Sequence, residues 1–265
     1  MSSPRQSRFW NSPGWARACT VGVLVVIGLG VACSSQSTAP SQTPESGSVP
    51  VRVLMLTATA GFRHDSIATA RQVVTSLGSS SGGFSVTSTE DITSINAAAL
   101  ANHDVLFFAL TSGELAFTAE QRAAILSFVA SGKGFLGAHS ATDTLYEWPE
   151  YGALIGAYFK EHPWTRTASV LVEDRAHPAT AGLGESFSIE EEFYTFRENP
   201  RSRVQVLLRL DAASVGASGD YPLAWVRSHG AGRVYYNALG HFPSTWSDPR
   251  FQQQIAGAIR WAAHR

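Results

Sequence analysis

Beyond Cys33 this chain of 265 residues contains no cysteine, since its only two are Cys19 and Cys33. The body therefore has neither a disulfide nor a thiol, which excludes a cysteine nucleophile and a Cys-ligated zinc. An excess of one charge is lacking too. Lys and Arg total 20 against 21 Asp and Glu, and with Arg5, Arg8, Arg17 and Glu45 of the front end set aside the remainder carries −3. Such a balance gives no electrostatic footprint for nucleic acid. Long apolar runs are missing as well: the longest, Ala18 to Ala32, is too short for a comfortable membrane span. What is abundant is apolar side chain, 44% against 15% charged, enough to bury a real core and to exclude a disordered chain.

The short apolar run follows three arginines and reads as the h-region of an export signal. It ends in Leu29-Gly30-Val31-Ala32-Cys33, which resembles the lipobox of bacterial lipoproteins, with Gly30 where that box usually has leucine. The expectation is a signal peptide over 1–33, lipidation of Cys33 and anchoring in the bacterial cell envelope; an uncleaved anchor or a plain secretory peptide is the alternative. Residues 34–49, rich in Ser, Thr, Gln and Pro, read as a disordered tether to one domain over 50–265.

The body alternates between the two periods of secondary structure. Val51 to Leu56 is an aliphatic run ending in a small-residue loop, followed by a helical stretch from about Asp65 to Leu77 and strands near Phe84 to Thr89, Asp104 to Leu110 and Gly134 to His139. A further helix is expected around Ile95 to Ala101, and Thr118 with Gln121 forms a capping box for another that stops at Gly132. Past His162 the segments are short and β-rich: Ala168 to Val172, Phe187 to Phe196, Val204 to Leu210, and a hairpin of Leu223 to Arg227 with Arg233 to Leu239. A closing helix runs from Asp248 to about Ala262. The expected fold is a three-layer, flavodoxin-like α/β domain, mostly parallel with a β-rich C-terminal half.

In such sheets ligands bind beyond the carboxyl ends of the strands. The first loop there offers Arg63, His64 and Asp65, and the fourth offers His139, Ser140 and Asp143. Gly137-Ala138-His139-Ser140-Ala141 has the outline of a nucleophile elbow with histidine at the apex, a position suited to proton transfer or metal ligation. His241 follows a strand end and can face the same crevice. In the run Glu190-Glu191-Glu192 neighbours alternate faces, which favours Glu192, with Tyr194 on its side. His162-Pro163 and His177-Pro178 read as loop turns, and Trp148, Trp164 and Trp246 as loop aromatics able to stack on a sugar.

Gly61-Phe62-Arg63-His64, Gly137 to Asp143, Gly156-Ala157-Tyr158-Phe159 with His162-Pro163, His177-Pro178, Glu191-Glu192-Phe193-Tyr194, and Gly232 to Tyr236 with Leu239-Gly240-His241 together resemble the ThuA-like trehalose-utilisation family, from about Val51 to Ala263. The resemblance implies a class I glutamine amidotransferase-like fold in which His139 replaces the amidotransferase cysteine, and a link to sugar catabolism through keto-sugars. An Asp-Glu pair usual in the family stands here as Glu191-Glu192.

The leading expectation is an exported enzyme acting on a glycoside or 3-keto-glycoside as isomerase, epimerase, lyase or hydrolase. His139, His64, Asp143, Glu192 and His241 are its candidate catalytic groups, and Arg63, Asp65, Ser140, His162, Trp164 and Tyr194 contact substrate. A divalent metal such as zinc is an open possibility, with His139, His162 and His241 as ligands. The other readings are a non-catalytic sugar-binding lipoprotein and a metal-dependent hydrolase. Amidotransferase activity is excluded by the missing thiol.

Overall fold

The computed structural model describes residues 49–81 and 83–265. The expected signal peptide, the lipidation of Cys33 and nearly all of the tether lie outside these residues. None of the described helices is long and apolar enough to cross a membrane.

The first half is built as the hydrophobic periods dictate. Strands β1 (Val51–Leu56), β2 (Phe84–Thr89), β3 (Val105–Ala109) and β4 (Gly134–Ala138) pair in parallel in the order β2-β1-β3-β4. Both β3 and β4 are buried along their whole length, as sandwiched parallel strands must be. Connecting them are α1 (Ile67–Ser81), α2 (Ala97–Leu100) and α3 (Ala119–Ala130). Asn96 caps α2, and the Thr118–Gln121 capping box opens α3. Strand β9 (Gly232–Asn237) then joins β4 in parallel, completing a flavodoxin-like set of five.

The second half extends the same sheet antiparallel. Strand β8 (Pro222–His229) forms with β9 the expected hairpin, and β7 (Gln205–Leu210), β5 (Phe159–Val172) and β6 (Ser186–Phe196) follow. The nine strands form one mixed sheet in the order β2-β1-β3-β4-β9-β8-β7-β5-β6. Helix α6 (Pro249–Ala262), capped by Asp248, packs with α1 on one face, while α2 and α3 pack together on the other. Right-handed crossovers require this three-layer arrangement, which is that of the class I glutamine amidotransferase-like fold.

Strand β5 begins at Phe159, well before the expected Ala168, so His162-Pro163-Trp164 is not a loop turn but part of a strand. Register shifts fall between Phe159 and Trp164, where Pro163 has no N–H to give the ladder. Two short helices not expected from periodicity, α4 (Pro149–Ile155) and α5 (Pro243–Ser247), each open on proline. The turn after β4 is a single 3₁₀ turn, His139–Thr142, rather than the start of an α-helix.

Candidate functional site

Three loops of the parallel half deliver one histidine each to the same point. His64 lies between β1 and α1 in a loop tied to the β3 loop by Ala60 N–H to the Ser112 carbonyl (2.8 Å) and the Ser112 hydroxyl to the Phe62 carbonyl (2.6 Å). His139 directly follows β4 with φ +51, a left-handed conformation that few side-chain-bearing residues adopt. Its carbonyl accepts from the Tyr236 hydroxyl at 2.7 Å, which fixes the turn. His241 follows β9 by way of Gly240, whose φ of +127 suits glycine. The Gly61 and His139 loops thus share the carboxyl rim of the sheet.

The antiparallel half contributes β6. Glu192 and Tyr194 point from one side of it toward the histidines, whereas Glu191 points the other way and is completely buried. Glu191 accepts from the backbone N–H groups of Glu192, Gly240 and His241 and from the Thr245 hydroxyl, so it holds the loop that carries His241. Burial pushes its carboxyl up to about 7 against these donors, the Thr245 hydroxyl first among them.

At the centre stands the His139 ring. Its Nδ1 is 2.8 Å from the Ala238 carbonyl, an acceptor only, so Nδ1 carries the proton and Nε2 of the neutral ring offers a lone pair. Around Nε2 lie Tyr194 Oη at 3.0 Å, His64 Nε2 at 3.1 Å, His241 Nδ1 at 3.3 Å and Glu192 Oε2 at 3.7 Å. His241 Nδ1 is in turn 3.1 Å from Glu192 Oε2. Burial, then the neighbouring His64, pushes the His139 imidazole well below its ordinary pKa. Burial and His241 lower His64 to about 4. His241 is raised by its hydrogen bond with Glu192. Burial opposes ionisation of Glu192, but that bond and the charges of His241 and His162 outweigh it and keep its carboxyl below the usual range.

One lone pair cannot satisfy all of these neighbours, whereas a cation could be shared by the lone pairs of His64, His139 and His241 and the Glu192 carboxylate. Ligand atoms of His64, His139, Glu192 and His241 all lie within 4.8 Å of one another. Ligands at the Zn–N distance of a tetrahedral site stand about 3.3 Å apart, and the closer edges here are 3.1–3.7 Å. The bond from His139 Nδ1 to the Ala238 carbonyl is the second contact by which metal-ligating histidines are oriented. Of the candidate ligands expected from sequence, His139 and His241 stand in this group with His64 and Glu192, and His162 does not. His162 stands half-exposed at the rim, its Nδ1 3.3 Å from Glu192 Oε1.

Beside this cluster is a cavity of about 260 Å³ lined by Phe62, His64, Asp143, Phe159, His162, Glu192, Tyr194 and His241. Asp143 accepts from the Tyr146 hydroxyl at 2.6 Å, and burial raises its carboxyl pKa. The structure thus brings together His64, His139, Asp143, His162, Glu192, Tyr194 and His241.

It does not bring in the others. Arg63 turns away to form a bidentate pair with Glu90, and Asp65 is exposed outside the cavity. Ser140 is buried behind the site, its hydroxyl 3.5 Å from His64 Nδ1. Trp164 packs edge-on against Tyr221, and Trp148 and Trp246 are buried in the core, so none of the three lines the cavity. The exposed aromatic at the cavity is Phe62, 64% exposed and edge-on to His64. Phe62, Phe159 and the buried Glu191 escaped the sequence reading; the position of Phe62 beside His64 in a strand-end loop was the available signal.

A family model for ThuA, trehalose utilisation, matches residues 52–262 of the chain. Among solved structures, a ThuA-like protein from Bacteroides uniformis is 23% identical with a TM-score of 0.68, over 84% of this chain and 95% of that one. A ThuA-like protein from Parabacteroides merdae is 19% identical with a TM-score of 0.66, over 81% and 90%. A GMP synthase subunit from Thermoplasma acidophilum shares the fold at 11% identity and a TM-score of 0.51, over 81% and 95%. No curated protein matches.

Proposed function

Because the chain belongs to the ThuA family, whose description is trehalose utilisation and whose role is carbohydrate-related, we propose that it is an exported carbohydrate-processing enzyme acting on a glycoside or its 3-keto derivative. The observation that carries this reading is the convergence of three imidazoles and a carboxylate around His139 Nε2, beside a cavity the size of a single sugar ring. Buried titratable groups with shifted pKa values cluster at catalytic sites, which favours a catalyst over a binding protein.

A carbonyl makes the proton on the adjoining carbon acidic. Once a base removes that proton, the electron pair moves onto the carbonyl oxygen, and the enolate is reprotonated or expels a leaving group. A divalent cation held by His64, His139, Glu192 and His241 would supply positive charge against that oxygen. The side chains outside this set handle the protons. Asp143, its carboxyl raised by burial, faces the cavity as base and then acid. His162 stands at the rim, within reach of a substrate hydroxyl, and Tyr194 Oη donates toward the developing charge. Phe62 offers an apolar face to the ring's C–H groups.

The test is incubation of the purified protein with oxidised and unoxidised disaccharides, with and without chelator, following products and bound metal. Turnover of the keto-sugar with loss on chelation is expected. Sugar binding without any product would replace the enzyme by a binding protein, and chelator-resistant turnover would leave acid–base chemistry by the side chains alone. Export and lipidation belong to the same proposal: Cys33→Ala should release the protein from membranes.

A further inference from the structure

A second hollow shares no lining residue with the histidine cavity. Its volume of about 380 Å³ falls within the size of small-molecule sites. One wall is α4 and the turn after it, Gly152, Ala153, Gly156 and Tyr158. Gly156 has φ +107, and a Cβ there would meet the Trp225 indole nitrogen at 2.8 Å, so this wall admits no larger residue.

Arg197, Arg203 and Arg227 line the other side, against a single carboxylate, Glu198, which pairs with Arg203 at 2.6 Å. The lining is therefore cationic by two charges. Arg227 projects from β8 and is half-buried. Its Nε is shielded from solvent and has no hydrogen-bond partner among the described residues, nor does any described acid pair with it. Burial and the charge of Arg203 both work against its protonated form. Arg197 likewise has no carboxylate partner among the described residues, and its guanidinium lies 4.0 Å over the Tyr146 ring. Arginines close by in the sequence are satisfied: Arg201 pairs with Glu173 and Asp220, and Arg209 with Glu173. A half-buried guanidinium beside a like charge, with no carboxylate paired to it, is stabilised when an anion joins it.

We propose that this hollow binds a phosphate monoester, the phosphate held by Arg227 and Arg203 and its carbon body laid against Tyr158 and Ala153. A dianion matches the surplus of two charges, and its oxygens match guanidinium forks better than an ammonium would. The ester can come from a soluble sugar phosphate or from the headgroup of phosphatidic acid. The proposal does not rest on the catalytic reading; of its lining, Arg197 reaches toward that site, over the Tyr146 ring that bonds Asp143.

Calorimetric titration of the full chain with inorganic phosphate, glucose 6-phosphate, glucose and phosphatidic-acid vesicles tests it. Glucose 6-phosphate or the vesicles should bind more tightly than inorganic phosphate, and glucose not at all; which of the two binds identifies the source. Arg227→Met should weaken binding about tenfold or more, the loss of a charged hydrogen bond. His139→Ala should leave it unchanged, so failure at one site does not imply failure at the other. Should Arg227→Met not fold, the exposed Arg197→Ala/Arg203→Ala pair must show the same loss. Equal affinity in wild type and these variants, an equal response to chloride at matched ionic strength, or no binding at millimolar ligand overturns the proposal.

Discussion

The two halves of the sheet meet the site in different ways. The parallel half places His64, His139 and His241 on loops at strand ends, where backbone geometry can be unusual and side chains are free to converge. The antiparallel half contributes from inside a strand, Glu192 and Tyr194 on one side of β6 and Glu191 on the other. Loops supply the imidazoles, of which His64 and His139 are kept neutral by burial; the strand supplies the carboxylate that raises the third, His241, and a rigid wall. A strand segment cannot shift one residue without exchanging the two faces, so β6 fixes the distance between carboxylate and imidazoles more firmly than a loop would.

Substitutions on either side can break this division. His139→Ala, in the parallel half, should remove turnover on keto-sugars by well over about a hundredfold and strip bound metal, checked by product assay and metal analysis. Because His139 is completely buried, its loss should also cost about 1–3 kcal/mol of stability in chemical denaturation. Glu192→Gln keeps the strand and its shape but removes the charge, and is expected to reduce turnover about a hundredfold with little change in denaturation midpoint. Glu191→Ala leaves the donors of Gly240, His241 and Thr245 unpaired, and should destabilise the chain by about 3 kcal/mol while Glu191→Gln costs less.

Buried groups of the site should also oppose one another in pH dependence, His64 and His139 against Glu191. His64 and His139 titrate below the ordinary imidazole range when folded, so as pH falls from 6.5 toward about 4 the unfolded chain takes up protons the folded one refuses, and stability drops. Glu191, raised to about 7, holds a proton in the folded chain that the unfolded chain releases above about 4.5; its contribution therefore grows as pH falls through that window. Metal-free His64→Asn should flatten the loss at low pH and Glu191→Gln should steepen it, read as denaturation midpoints across pH. The smallest effect belongs to Trp164→Ala. With Trp164 packed on Tyr221 away from the cavity, turnover should change less than about twofold, within what remote substitutions do.

The same division explains how much was legible in the sequence. Parallel strands announce themselves as short aliphatic runs ending in small residues, so β1, β3, β4 and the loops bearing His64 and His139 were readable, as was the β8–β9 hairpin. Alternation along β6 separated Glu192 from Glu191. What failed were contacts that depend on where a side chain turns, in a loop or on an irregular stretch of strand. Arg63 sits beside His64 in the chain but finds Glu90, and Trp164 sits two residues from His162 but faces Tyr221. The position of His162 outside the histidine cluster has a related cause. His162 is on a strand interrupted by Pro163, and its ring reaches only the outer oxygen of Glu192. The role of Glu191 depends on a loop some fifty positions away, which no local pattern reveals.

His139 occupies a backbone conformation that costs an L-residue of the order of 1 kcal/mol or more, and the Tyr236 hydroxyl on its carbonyl and the Ala238 carbonyl on its ring hold it there. Selection for foldability alone would therefore drift this position toward glycine. His139→Gly should be more stable than His139→Ala, and a library screened only for expression should enrich glycine at 139, whereas one screened for growth on the substrate should return histidine. The position is a point where the two pressures disagree, and a histidine persisting there is a record of which one prevailed.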